Sequence, residues 1–240
     1  MPQDYRVDGL LIMGSWDVTK YTERVRELLG EIYPKATMTQ MSNFSFLRLG
    51  YEININGKRV WFFVVYGGAL LSEFTDLACM LGSRKNILVG LCGGLKPGAK
   101  SGDVVLPTAS FKDGSMSTMY DLDPIPDVAT NDTLRDSLKK RLARYTIHEG
   151  RTMTCQAMLC ESWKDVQDWS KQGYVAVEME AATLLAVSKH YNVAGAAILS
   201  IADNLIEQET VLSKGFMDLA EFRAKVRDEQ FRAALEELAS

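Results

Sequence analysis

Five short apolar runs, each bounded by glycine or charge, organise this chain: GLLIMG (9–14), RVWFFVVYGG (59–68), NILVGLCGG (86–94), GDVVLPTAS (102–110) and VAGAAILSIAD (193–203). Runs of this length, rich in β-branched residues and lacking polar alternation, predict strands buried on both faces. YEINI (51–55) alternates instead and passes through Asn56-Gly57 into the second run, the pattern of a hairpin. Between the runs, apolar positions recur at helical spacing over 17–33, 72–82, 131–145, 179–191 and 219–239. Strands alternating with helices of this length predict an α/β fold, a three-layer α/β/α sandwich around a mixed, largely parallel sheet. No repeat, low-complexity tract or Pro/Gly/Ser linker divides the 240 residues, so one domain over 1–240 is expected.

Composition narrows the class. Hydrophobic residues make up 47% and charged ones 24%, as in an ordinary globular enzyme. The net charge of −4 supplies no positive field for nucleic acid or an anionic membrane. The opening MPQDYRVDGLLIMG sets acid and base ahead of a short apolar run, unlike a signal peptide or a membrane span. Cys79, Cys92, Cys155 and Cys160 form no C-x-x-C pair and read as reduced thiols of a cytoplasmic protein. Only His148 and His190 are present, which argues against a His-built zinc site or a Ser–His triad, and no cofactor is expected.

Four stretches carry candidate chemistry. Gly14 ends a strand in LIMGSWD, where bare backbone would let a ligand approach and a helix start hold an anion; on this stretch alone a plain strand-to-helix turn is preferred, with Asp17 free to be the helix N-cap. Gly90, Gly93 and Gly94 crowd one strand end, in neither the dinucleotide nor the P-loop spacing. GYVAVEMEAATLLAV (173–187) sets Glu178 and Glu180 inside an apolar run. On one helix these would point roughly 200° apart, so a strand ending at 178 with a helix beginning near Met179 suits them better. Glu180 then either caps the helix or offers two acceptor oxygens to vicinal hydroxyls such as those of a ribose. Asp203 ends the run AILSIADNL; a partly desolvated acid there has a raised pKa and a proton to give, while an Asx turn is the structural alternative.

Taken together, these segments resemble the nucleoside phosphorylase superfamily, which includes purine nucleoside and uridine phosphorylases, methylthioadenosine/S-adenosylhomocysteine nucleosidases and AMP nucleosidases. The resemblance runs from about residue 9 to 215: VAVEMEAATL is similar to the family's V-E-M-E-A ribose motif, LSIADN to its T-V-S-D-H stretch, and VGLCGGLKPGAKSGDVVLPTA to its R-V-G-T-C-G-A-L…G-D-V-V-I segment. It implies cleavage of an N-glycosidic bond in a homo-oligomer. Met179 and Glu180 would contact the ribose, and Asp203 would protonate or hydrogen-bond a leaving purine. Glu178, Gly90, Gly93, Gly14, Met158 and Arg48 complete the expected substrate-binding set.

The departures bear on the nucleophile. Leu88 and Leu91 stand where the phosphorylases carry an arginine and a hydroxyl for phosphate; Val18 falls at the arginine of the G-D-P-x-R loop, and Phe46 at the arginine lent by a neighbouring subunit. A late arginine that assists the aspartate falls in register at Phe216. A dianion lacking these donors loses on the order of 1.5–3 kcal/mol per charge-assisted bond, so water is the expected nucleophile, activated by Asp17 or Glu73. Phosphorolysis would need Lys20, Arg48 or Lys214 to rebuild the anion site. A nucleoside-binding protein without turnover is the rival from another class.

Overall fold

The computed structural model describes residues 4–43, 45–112, 116–208 and 214–240. All strands among them belong to one sheet, and its middle is the part that matters for function. Strand β1 (Gly9–Gly14) lies between β4 (Lys58–Val65) and β5 (Lys85–Gly94), and β10 (Ala194–Asn204) lies on the far side of β5. All these pairs are parallel, so four carboxyl ends open on one edge. β3 (Gly50–Ile55) and β2 (Thr37–Gln40) extend the sheet antiparallel beyond β4, the first through the expected turn at Asn56-Gly57. On the other side β6 (Val104–Lys112), β8 (Ile147–Thr154) and β9 (Tyr174–Glu178) follow β10. β9 returns to pair antiparallel with the end of β5, through Gly93 and Gly94. Strands β5, β10, β6, β8 and β9 thereby close a circuit, which brings the end of β9 to the edge where β1, β5 and β10 finish. A short β7 (Asp127–Ala129) pairs with β6.

The unbroken apolar runs are explained by helices on both faces. Leu11, Met13, Phe62, Val64, Ile87 and Val89 face α1 (Val18–Ile32), α4 (Asp132–Arg141) and α7 (Ala220–Ala239). Their neighbours Leu10, Ile12, Trp61, Phe63 and Leu88 face α2 (Gly68–Met80) and α6 (Ala181–His190). Residue parity decides the layer, because side chains alternate along a strand. Two further helices, α3 (Met116–Tyr120) and α5 (Trp163–Lys171), were not indicated by the apolar pattern; α5 starts at a capping box formed by Ser162 and Asp165.

Candidate functional site

Glu178 and Glu180, two residues apart, have opposite fates. Glu178 ends β9 fully buried, and its Oε2 accepts the backbone N–H of Glu180 (2.7 Å) and of Ala181 (2.6 Å). The hydroxyl of Thr154 donates to Oε1 and itself accepts Ala182 N–H at 3.0 Å. Glu178 is therefore the anchor of the α6 N-terminus, where amides and helix dipole favour a negative charge. It was expected among the substrate-binding residues; the structure commits both its oxygens to the fold instead.

Glu180 occupies the position before the first residue of α6 and makes no capping bond. Its side chain is buried, and Oε1 accepts the N–H of Gly67 at 2.7 Å. Burial, followed by the charge of Glu178, pushes its pKa up to about 8. Of the two acids Glu180 has the poorer supply of donors, so a proton shared by the pair rests there. Gly14 was expected to admit a ligand, yet its nearest neighbour is this carboxylate: a Cβ at 14 would stand 2.9 Å from Glu180 Oε2. The strand must end in glycine because Glu180 lies against it.

An aromatic pair that the sequence reading missed stands beside Glu180. Tyr66 follows β4, and its ring meets Trp16 edge-on at 5.0 Å, both rings being substantially exposed. Burial of its inner part raises the Tyr66 pKa, with the charges of Glu180, Cys155 and Glu161 adding to the effect. The signal was present in GSWD and VVYGG: exposed aromatics next to glycine at two neighbouring strand ends.

Asp203 arrives from β10. A register shift between Ile201 and Asp203 places it beside Gly93 of β5, and it is buried. Asn204 secures the bend: its amide nitrogen donates to Lys96 O (3.0 Å) and Ala99 O (2.8 Å), and its Oδ1 accepts Ile206 N–H. The Cys92 thiol, buried at the end of β5, sits in the field of both Glu178 and Asp203; burial first, then these charges, push its pKa well up. The acid-bearing ends of β9 and β10 thus meet at the glycine-rich end of β5.

Beside Asp203 stands Arg223 of α7, buried, its Nη1 donating to Ser101 Oγ (3.2 Å) and its Nη2 to Phe216 O (2.6 Å). Register had put the late arginine at Phe216. At that position the structure has Phe216, whose ring centre lies 3.7 Å from the guanidinium of Arg223, seven residues later.

The remaining candidates separate. Met179 packs half-buried against a small cluster with Val177 and Leu205, next to Glu180. Met158 begins an exposed 3₁₀ turn, Met158–Cys160. Gly90 and Gly93 were expected to make room for a ligand, but their vacant Cβ positions are filled by Leu199 and by Leu205 with Val177. Asp17 is the N-cap of α1, accepting Lys20 N–H at 3.2 Å, and is exposed. Glu73 lies exposed on α2, where its charge reaches Tyr120. Arg48 is exposed, and the contact of note is its carbonyl, which accepts from the Gln40 amide. Leu88 is not at the mouth of the glycine loop as expected: it is fully buried between Ile12 and Ala197, while Leu91 is half-buried. The side chain of Lys214 lies outside what the structure describes.

Comparison with known proteins places the chain among relatives of one family. A family model described as the phosphorylase superfamily matches residues 64–239. The guanosine phosphorylase of Halorubrum lacusprofundi is 30% identical over 118 residues, 49% of either chain. A purine nucleoside phosphorylase of the DeoD type from Exiguobacterium sp. is 28% identical over 163 residues, 67% of this chain and 66% of its own. Another, from Clostridium perfringens strain SM101, is 29% identical over 174 residues, 69% and 72% of the two chains. The chain therefore spans about half the length of the first relative and about two thirds of the other two.

Proposed function

Because the chain belongs to the phosphorylase superfamily, we propose that it is an enzyme of pentosyl transfer that breaks the N-glycosidic bond of a purine nucleoside, with inorganic phosphate accepting the ribosyl group. The observation that supports this reading best is the convergence of the ends of β9 and β10 on the glycine-rich end of β5, with Glu180 just after the first strand and Asp203 within the second, both buried. The 2′ and 3′ hydroxyls bring Glu180 the donors it lacks, so that on binding it gives up its proton, accepts from both and fixes the sugar against Gly14 and Gly67. As the C1′–N9 bond lengthens, positive charge grows on the ribose ring and negative charge on the purine. Asp203 hands a proton to N7 and so improves the leaving group. Arg223 then stabilises the carboxylate that remains. Tyr66 and Trp16 border the same site and cover the sugar.

The names of the relatives, guanosine phosphorylase and purine nucleoside phosphorylase, favour phosphate as the acceptor. Hydrolysis is the second reading, and one observation favours it: Leu88 and Leu91 provide neither guanidinium nor hydroxyl. Incubation of guanosine, inosine and adenosine with and without phosphate separates the two. Phosphorolysis yields free base and ribose 1-phosphate only when phosphate is present, whereas hydrolysis yields free ribose in either buffer. Protection of the nucleoside without release of base would instead identify a binding protein. The exposed rings of Trp16, Phe46 and Tyr66 and the exposed Leu70 support assembly into a homo-oligomer; light scattering on the purified protein tests this.

A further inference from the structure

Asp203 owes its place to an irregularity in β10. The ladder with β5 runs residue for residue from Ala194–Lys85 to Ile201–Cys92 and resumes at Asp203–Gly93, so Ala202 is an extra residue, the mark of a bulge. A bulge re-aims the side chain that follows it and leaves the backbone groups of the extra residue outside the ladder. The carbonyl of Ala202 is met by a side chain from a distant part of the chain: Ser101 Oγ donates to it at 2.7 Å. The same hydroxyl oxygen accepts from Arg223 Nη1 at 3.2 Å.

Chemistry fixes the direction of both bonds. A carbonyl only accepts and a guanidinium only donates, so the single proton of Ser101 goes to Ala202 and a lone pair faces Arg223. Burial, followed by the neighbouring Arg227, lowers the pKa of Arg223, and Asp203 is the charge that works against them. The turn that presents Ser101 is built by other groups. Asp103 N–H donates to Lys100 O and Lys100 N–H to Asp103 Oδ2, both at 2.9 Å, and His148 Nε2 lies 2.9 Å from that same oxygen. Two backbone bonds then dock the turn on β10, Gly102 N–H to Ile201 O (2.8 Å) and Ile201 N–H to Asp103 O (2.9 Å). The hydroxyl of Ser101 is therefore spare for the bulge and for Arg223.

We propose that Ser101 is a positioning residue: its hydroxyl holds the bulge that aims Asp203 and docks Arg223 beside it. One group thus sets both the proton donor and the cation that stabilises the donor once its proton has left. Ser101 acts through Ala202 and Arg223 and not on the substrate. The inference rests on the proposed glycosidic cleavage, in which Asp203 protonates the leaving purine. Ser101→Ala removes both bonds and leaves the turn standing, and steady-state kinetics on inosine and on a nitrophenyl riboside measure the effect.

In Ser101→Ala, kcat for inosine should fall by about 10- to 100-fold, as a slightly misplaced catalytic group implies, with KM within a factor of about two. The nitrophenyl riboside, whose leaving group needs no proton, should lose less than about threefold. In an Asp203→Asn background the same change should add less than about threefold, because the group it positions is gone. A folded Ser101→Ala with native kcat overturns the proposal. So does an equal loss on the two substrates, or a loss that multiplies in full with that of Asp203→Asn. Should Ser101→Ala fail to fold, Ser101→Thr is compared with Ser101→Val, alike in shape but lacking the hydroxyl. The threonine variant should then exceed the valine variant by about 10-fold in kcat for inosine, and equality overturns the proposal. If the native protein cleaves no nucleoside under any condition, the functional reading falls, and the guanidinium resonances of Arg223 decide for Ser101. Their displacement in Ser101→Ala upholds the docking of Arg223, and their indifference overturns it.

Discussion

Glu180→Gln removes one buried ionisable group while keeping the side chain's shape and the bond from Gly67 N–H. In the folded protein burial and Glu178 hold the Glu180 pKa at about 8, against an ordinary value of 4.5. Between these limits the folded protein keeps a proton that the unfolded chain has released. Stability is then fully present below pH 4.5 and declines as pH rises, by about 1.4 kcal/mol per unit for one full proton. The loss is complete above about pH 8 and amounts to a few kcal/mol, a large share of the stability of a typical domain. Glutamine cannot ionise, so the variant should match the native protein near pH 5, exceed it by a few kcal/mol at pH 9, and show a flatter profile between. Urea denaturation at one-unit intervals measures this directly. The same substitution should abolish most turnover on ribonucleosides, because an amide does not accept from both hydroxyls. Equal pH slopes in the two proteins would refute the placement of a proton on Glu180, and unchanged turnover would refute its role toward ribose.

Gly14→Ala should cost about 10- to 100-fold in kcat/KM with little change in Tm, because its Cβ would lie 2.9 Å from Glu180 Oε2 and displace the carboxylate rather than the core; steady-state kinetics beside calorimetry checks this. Glu178→Gln should do the reverse and lower stability by about 1–3 kcal/mol, since its amide nitrogen would meet N–H groups that need an acceptor; chemical denaturation measures it. Asp203→Asn should slow a purine nucleoside by about 10²–10⁴-fold and an activated nitrophenyl riboside far less; equal losses would remove its role as proton donor. Leu88→Arg should not install phosphate dependence but should destabilise or unfold the protein, because Leu88 is fully buried within the α2–α6 layer; circular dichroism on heating decides it.

The architecture was legible wherever the chain repeats a physical pattern. The apolar runs gave β1, β4, β5, β6 and β10, and helical spacing gave α1, α2, α4, α6 and α7 to within a few residues, because both layers of helices demand continuous burial of the central strands. β8 was missed because its sequence, IHEGRTMT, buries only its last three residues and shows no alternation. The two acids were conspicuous because charge inside an apolar run is costly. Their division of labour was less so, since only the fold brings Thr154 to Glu178 and Gly67 to Glu180. The glycines around residue 90 suggested a ligand, but closed strand pairing with packed leucines explains them. Arg223 and Arg227 drew no attention on a helix whose other charges are numerous; their burial against Asp203 and Tyr21 is a tertiary fact.

The most direct test of a glycosidic-bond-cleaving centre at Glu180 and Asp203 is a single-turnover experiment. Stoichiometric protein is mixed with a guanosine, inosine or adenosine substrate in phosphate buffer, and base and sugar are quantified by chromatography. One equivalent of free purine should form per nucleoside consumed, accompanied by ribose 1-phosphate, with Glu180→Gln and Asp203→Asn each leaving the nucleoside largely intact. Full recovery of every intact nucleoside from the native protein, or undiminished release of base by either variant, would contradict it.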